Sequence, residues 1–167
     1  ERFRFLQDSV VKEVKVSPDA MWIASTGSDR TARVWSAANG AEMYQIPLDA
    51  EGRVLGFSSD TNYLVVGDAE GNLSIWDISS LAMNDGYMRF DEYVSDIAMS
   101  PNGDWLAAAD KGQVWLLDPE LLPSQIVPTG KLLYTFNSDT VTDMAVNPKG
   151  DSFAVSTQGG QVVFITS

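Results

Sequence analysis

The feature that most constrains this chain is a short segment that occurs four times at nearly constant spacing. Each copy runs from an apolar strand pattern into a polar turn, and the residue that starts the turn is Ser17, Ser58, Ser100 or Asn147. Successive turn residues lie 41, 42 and 47 positions apart. A period near 40 residues indicates one supersecondary unit used repeatedly, which buries its apolar surface against its neighbours.

Each unit contains strand patterns separated by turns, without a sustained helical period. Apolar residues alternate in the first strand, as at Val14 and Val16, and this period of two is typical of a strand. We divide the chain into units of approximately 8–48, 49–90, 91–136 and 137–167. Residues 2–7 align without gaps with the fourth strand at 132–137, which predicts that they form an outer strand, paired within this chain or with another. The sequence therefore predicts an all-β chain of antiparallel four-stranded units.

The third strands of the first two units resemble those of a known family. The segment from Asp29 to Trp35 resembles the Asp-x-Thr-x-Arg-x-Trp close of a WD40 repeat, and the segment from Ile75 to Asp77 holds the Trp-Asp pair itself. The four turns are similar to the Ser-Pro-Asp turn after the first strand of such repeats. The resemblance implies a β-propeller, whose blades surround a channel. A propeller of another family with similar four-stranded blades is the alternative.

The chain departs from the family pattern in three respects. It has no Gly-His dipeptide, which predicts that the Ser-His-Asp-Trp hydrogen-bond network of strong repeats cannot form. Units three and four place Leu117 and Ile165 where the first two have Trp35 and Trp76. About four blades are fewer than the usual seven or eight. The chain is therefore expected to be part of a longer ring, half of a dimeric ring, or a small four-bladed ring.

Composition restricts the chemistry that the chain can perform. It contains neither cysteine nor histidine, so disulfides, thiolate metal sites and Ser-His or Cys-His pairs are excluded. A net charge of −12 disfavours binding to nucleic acid phosphates. No apolar run is long enough for a membrane span. We expect a cytoplasmic protein without a cofactor, an assigned metal ligand, a nucleic acid partner or a membrane.

Three equivalent carboxylates form the first candidate site. Glu13, Asp96 and Asp143 each lie four residues before a turn residue, whereas the second unit has Val54 there. In a propeller the first strand lines the channel, so these side chains are expected near one mouth. Oxygen ligands of this kind suit Ca²⁺ or Mg²⁺. The alternative is that each carboxylate accepts hydrogen bonds from neighbouring backbone amides.

Side chains of the third unit form the second candidate site, for a partner protein. Trp115 occupies the position of Arg33 and Ser74, where a polar residue is expected, and a large aromatic there can anchor a contact. The insertion after it offers four aliphatic side chains, Leu121, Leu122, Ile126 and Val127. The alternative is that this loop packs on its own blade. By contrast, Trp22, Tyr63 and Trp105 recur at one repeat position and are predicted to pack blade on blade.

These patterns predict a non-catalytic scaffold for protein–protein interaction, as part of a larger propeller or multidomain protein. Its partner would be a protein or peptide, together with further blades from the same protein or a second copy. The alternative is a propeller enzyme, or a small-ligand or metal sensor, with its site at the channel mouth. That alternative predicts a deep pocket with converging carboxylates and strongly shifted pKa values.

Overall fold

The computed structural model describes residues 3–80, 83–117 and 130–166, with the backbone alone at 83–87. The strands in chain order are β1 (Val11–Val16), β2 (Trp22–Gly27), β3 (Thr31–Ser36), β4 (Glu42–Pro47), β5 (Gly52–Phe57), β6 (Tyr63–Asp68), β7 (Asn72–Asp77), β8 (Met83–Arg89), β9 (Val94–Met99), β10 (Leu106–Asp110), β11 (Gln113–Leu117), β12 (Lys131–Thr135), β13 (Val141–Val146), β14 (Ser152–Thr157) and β15 (Val162–Thr166). Within these ranges no helix is long and apolar enough to cross a bilayer.

The strands form four separate antiparallel sheets, one for each repeat. Blades 1, 2 and 3 contain β1–β4, β5–β8 and β9–β12, and blade 4 contains β13–β15. The first strands of successive blades contact one another, β1 with β5, β5 with β9, and β9 with β13, so they are the inner strands beside the channel. The predicted all-β propeller blades are confirmed. Within the described residues, the four blades form an open arc rather than a closed ring.

The hydrophobic core lies between blades rather than within them. Leu64 and Val66 of β6 pack in the cluster shared with blade 1, whereas Val65 packs in the cluster shared with blade 3. A third cluster joins blades 3 and 4. Because strand side chains alternate between faces, each blade contributes one face to each neighbour. The repeated aromatics follow this rule as predicted: Trp105 stacks on Phe153 of blade 4 with ring centroids 5.3 Å apart.

A β-bulge recurs in all four inner strands. In each strand the register against its neighbour skips the residue five before the turn residue, and the skipped residues are Lys12, Arg53, Ser95 and Thr142. The bulge reverses the alternation, so Val94 packs towards blade 2 while Ala98, beyond it, packs towards blade 4. It thereby aims the residue four before the turn residue, the carboxylate position, at the following blade.

Blade 1 contains the hydrogen-bond network that the absence of histidine was expected to prevent. Trp35 Nε1 donates to Ser25 Oγ at 3.1 Å, and Ser25 Oγ donates to Gln7 Oε1 at 2.9 Å. Gln7 Nε2 in turn donates to Asp29 Oδ1 at 2.9 Å. The chain has no histidine, as the sequence analysis stated, but Gln7 takes its place, because a glutamine amide offers both an acceptor and a donor, as a neutral imidazole does.

The first residues lie over blade 1 rather than beside blade 4. Residues 3–7 carry no strand, and within the described chain β15 has no fourth strand beside it. Phe5 instead packs on Trp35 with ring centroids 5.4 Å apart. The predicted outer strand does not form with this chain's own β15, since an open arc holds β15 and residues 3–7 at opposite ends.

Candidate functional site

The carboxylate of Glu13 joins blade 1 to blade 2. The bulge in β1 aims this side chain at β5, where its Oε2 accepts the backbone amide of Leu55 at 2.8 Å. Its other oxygen, Oε1, forms an ion pair with Lys15 Nζ at 2.7 Å. Both oxygens therefore have partners, and the side chain holds two inner strands together.

Asp96 performs the same task between blades 3 and 4. Its Oδ2 accepts the backbone amide of Met144, which lies three residues before its turn residue, as Leu55 does. Its Oδ1 accepts the amide of Ile97 in its own strand at 2.9 Å. Val54 supplies no carboxylate from blade 2, so Asp96 itself satisfies the Ile97 amide. The structure thus shows Glu13 and Asp96 bound to backbone amides, the alternative weighed above.

The electrostatics of this inner edge follow from burial and from neighbouring charges. Burial raises the pKa of Asp96 to about 6, with smaller contributions from the negative charges of Asp143 and Glu13, although two backbone amides oppose the shift. Burial lowers the pKa of Lys15, but the hydrogen bond and charge of Glu13 outweigh it, so the net shift is upward. Asp96 is therefore a carboxyl group that titrates close to neutral pH.

Asp143 occupies the carboxylate position of blade 4, the last blade among the described residues. Its side chain is exposed beside the channel edge, and it adds negative charge near Asp96 and Lys15. In the described part of the chain, no group of three or more acidic side chains is arranged to hold a metal ion. The observed chemistry of the carboxylate position is amide binding between blades.

Trp115 lies half-buried at the junction of blades 2 and 3. It stands opposite Ala108 in β10, as Arg33 stands opposite Ser25, so the predicted register is correct. Its ring packs near Phe90, with centroids 6.3 Å apart. Its Nε1 is buried and has no hydrogen-bond partner among the described residues. A partner-binding role for Trp115 stays a prediction.

The four aliphatic side chains predicted to contact a partner lie outside the described residues. They are Leu121, Leu122, Ile126 and Val127. Their role therefore also stays a prediction.

An acidic pocket between blades 3 and 4 is a candidate site that the sequence reasoning missed. It has a volume of about 470 Å³ and is lined by the β10–β11 turn and by the loops that precede β9 and β13. Its charged residues are Asp91, Glu92, Asp110, Lys111 and Asp139. Burial raises the pKa of Asp110, and the charges of Asp91 and Glu92 add to the shift. The Glu92–Lys111 ion pair, at 3.4 Å, leaves an excess of negative charge.

The acids of this pocket have different tasks. Asp139 Oδ1 accepts the amide of Gly159, and its Oδ2 accepts the hydroxyl of Thr157, so this side chain supports the β14–β15 turn. Asp91 and Glu92 are both exposed to solvent, and Glu92 is also paired with Lys111. In a four-stranded meander, the turn between strands two and three lies at the same end as the link to the next blade. Applied to the sequence, that rule places the acids at 91, 92, 110 and 139 at one end of the blades, and it could have predicted this acidic pocket.

Comparison with known families identifies the repeat. Residues 4–36, 51–77 and 85–118, more than half of the chain, match the model of the WD domain, G-beta repeat (WD40).

Three curated proteins illustrate the range of relatives. Protein LST8 homolog of Drosophila pseudoobscura pseudoobscura is 29% identical over 121 residues, 68% of this chain and 38% of that protein. Target of rapamycin complex subunit wat1 of Schizosaccharomyces pombe is 25% identical over 157 residues, 87% of this chain and 49% of that protein. Apoptotic protease-activating factor 1 of Rattus norvegicus is 26% identical over 125 residues, 69% of this chain and 10% of that protein. The chain thus spans at most about half the length of these relatives.

Solved structures agree in fold. The β-propeller domain of Myceliophteria thermophila Cps50 (Swd1) superposes with a TM-score of 0.81 at 18% identity, over 98% of this chain and 54% of that one. Hydrazine synthase of Kuenenia stuttgartiensis superposes with a TM-score of 0.80 at 18% identity, over 98% of this chain and 49% of that one. At such identity the likeness concerns the fold alone. The arc of four blades corresponds to about half of each of these chains.

Proposed function

The chain belongs to the WD40-repeat family, and on that premise we propose that it is a non-catalytic scaffold that binds a protein partner. The relatives support an interaction role, since wat1 is named as a subunit of a complex. A fold of this kind offers broad rigid faces, and function depends on the side chains presented on them. A cytoplasmic location and the absence of nucleic acid and membrane partners stay predictions.

The observation that carries the proposal is the acidic pocket between blades 3 and 4. It is open to solvent, and its exposed acids Asp91 and Glu92 lie on the loop before β9. Phe136 and the stem of Lys111 add apolar surface to its wall. Such a pocket suits an extended peptide that brings lysine or arginine side chains, because charge complementarity selects the partner and speeds its association.

The buried carboxylates favour a scaffold over an enzyme. The two acids with raised pKa values, Asp96 and Asp110, both accept backbone amides, Asp96 from Ile97 and Met144 and Asp110 from Gln113. Catalytic carboxylates need an oxygen directed at substrate, whereas both oxygens of Asp96 and Oδ1 of Asp110 accept backbone amides. This arrangement supports structural roles for both.

The proposal is tested with an array of short peptides of graded net charge, incubated with the purified chain. We expect peptides rich in lysine and arginine to bind, with an affinity that falls as salt is added. The double variant Asp91→Asn, Glu92→Gln should weaken that binding by roughly three- to tenfold, as the loss of two rim charges does.

The matched control is Asp8→Asn, which removes one charge from an exposed position beside blade 1, remote from the pocket between blades 3 and 4. It should leave binding unchanged. Preference for acidic or neutral peptides, or equal binding by the double variant and the wild type, would show that the pocket is not the partner site.

A further inference from the structure

An exposed arginine at the junction of blades 2 and 3 lies on an aromatic ring. The Cζ atom of Arg53 stands 4.2 Å from the centroid of the half-buried Tyr93 ring. Arg53 is the bulged residue of β5, and Tyr93 directly precedes β9, so the stack crosses from blade 2 to blade 3. Because the ring attracts the cation, the stack fixes the direction of a long surface side chain.

The charge of Arg53 has no carboxylate partner in the part of the chain that the structure describes. The ion pairs there have Lys15, Arg33 and Lys111 as their cations, although the protein carries 23 acidic against 11 basic residues. A guanidinium donates its hydrogen bonds in its own plane, whereas the Tyr93 ring covers only one face of it. The donor edge of Arg53 is therefore open to an anion from solvent.

The stack is not part of the repeat. The bulge position of the other inner strands holds Lys12, Ser95 and Thr142. The position of Tyr93, seven residues before the turn residue, is aliphatic, acidic or polar in the other units. The junctions of blades 1 and 2 and of blades 3 and 4 form without such a stack, so the fold does not require it.

The stack adjoins the acidic pocket. Asp91 and Glu92 line that pocket, and Tyr93 is the next residue in the chain. The Arg53 guanidinium thus lies on the blade 2 side of the acidic rim, and the pocket lies on the blade 4 side. An extended peptide rises about 3.3 Å per residue, so we expect it to span the two in roughly two to four residues.

We propose that the peptide bound by the acidic pocket also carries an aspartate or glutamate, whose carboxylate binds the guanidinium of Arg53. This inference rests on the peptide-binding function proposed above and adds a second contact to it. A guanidinium can donate two parallel N–H groups to one carboxylate, which fixes the geometry as well as the charge. The partner is thus a peptide of mixed charge, basic at the pocket and acidic at the stack.

The surrounding charges set the register of this peptide. Glu51 lies two residues before Arg53, Glu92 lies one residue before Tyr93, and both acids are exposed. An acidic side chain placed elsewhere along the rim is therefore repelled, which discriminates between spacings. A phosphate carries nearly two negative charges and is repelled more strongly than a carboxylate, so the surroundings favour aspartate or glutamate.

The test is a double-mutant cycle between the purified protein and labelled peptides, measured by fluorescence anisotropy at low salt. One peptide series carries a pair of lysines and one glutamate at graded spacings, and a second series has glutamine in place of the glutamate. At the best spacing, we expect the wild type to bind the glutamate peptide roughly three- to tenfold more tightly than the glutamine peptide. Arg53→Gln should bind both peptides equally.

Two further variants separate the geometry of Arg53 from its charge. Arg53→Lys keeps the charge but loses the planar fork, so it should keep only part of the preference for glutamate. The matched control Lys149→Gln removes an exposed cation from the turn after β13, at the opposite end of that strand from the pocket, and should keep the full preference. Because Arg53 is exposed, its variants should keep the melting temperature of the wild type.

Several outcomes would overturn this inference. One is equal binding of the glutamate and glutamine peptides by the wild type, and another is a preference that survives in Arg53→Gln. Tighter binding of a phosphoserine peptide than of the glutamate peptide would overturn the assignment to a carboxylate. If Asp91→Asn, Glu92→Gln nevertheless weakens binding of both peptides, the pocket remains a site for basic peptides and only the contact with Arg53 is refuted. If the wild type binds none of the peptides, both proposals are refuted.

Discussion

Replacing Asp96 with asparagine should remove a pH dependence of stability that this one carboxyl group creates. Its pKa is about 6 in the folded chain, against an ordinary value of 3.8. The folded state therefore binds the proton more tightly than the unfolded state does. Stability from this group is fully present below pH about 4, decreases as the pH rises towards about 6, and is constant above that. The difference amounts to about 3 kcal/mol in the free energy of unfolding.

The assay is urea unfolding, followed by tryptophan fluorescence, from pH about 4 to about 7. The quantity of interest is the free energy of unfolding of the wild type minus that of Asp96→Asn. We expect it to decrease by up to about 3 kcal/mol across this range, on top of a constant offset of roughly 1 to 3 kcal/mol, because asparagine can accept only one of the two backbone amides that Asp96 accepts. Glu70→Gln, which changes an exposed acid, should keep the wild-type profile.

Carboxyl groups whose pKa is lowered in the folded chain act in a different pH range. Burial tends to raise the pKa of Asp29, but hydrogen bonds from Gln7 and Thr31 outweigh it, so the net shift is downward. Such a group stabilises the fold above its ordinary pKa and loses that effect as the pH falls below about 4. A difference that is flat between pH about 4 and 7, or that increases with pH, would refute the reasoning on Asp96.

Two further changes test the local structure. Gln7→Ala should lower the free energy of unfolding by about 2 kcal/mol, because two partly buried hydrogen bonds are lost; a change below about 0.5 kcal/mol would mean that the network in blade 1 carries no stability. Ala20→Gly should raise the melting temperature by a few degrees, since Ala20 has φ of 58° and glycine relieves that strain. The reverse change, Gly160→Ala, at φ of 86° with open space around it, should lower the melting temperature; equal melting temperatures for both variants and the wild type would contradict the strain argument.

Local rules were sufficient to predict the blades. Alternation and turn chemistry act within a few residues, so the register that sets Trp115 opposite Ala108 followed from the repeat alone. The fourth strand of blade 2 begins at Met83, because pairing with β7 continues through a segment with turn-like composition. Tertiary pairing here outweighed local preference.

The site depended on relations between distant residues. Gln7 lies 22 positions from Asp29, and no motif marks an amide that takes the role of an imidazole. Asp96 accepts the amides of both Ile97 and Met144, because Val54 of the preceding blade has no carboxylate for the Ile97 amide. This relation is visible only once the inner strands are assembled. The acidic pocket likewise arises from loops of two blades that the curvature of the arc brings together.

The placement of the core between blades has a consequence for how the chain reaches its fold. Each sheet is a meander of residues close in sequence, so its strands can pair quickly after small loop closures. A single sheet nevertheless has no hydrophobic core of its own, and Leu64 and Val65 become buried only when blades on both sides are present. The smallest cooperative folding unit is therefore a pair of neighbouring blades. Folding can nucleate at any of the three junctions and spread along the chain, as expected of a one-dimensional array.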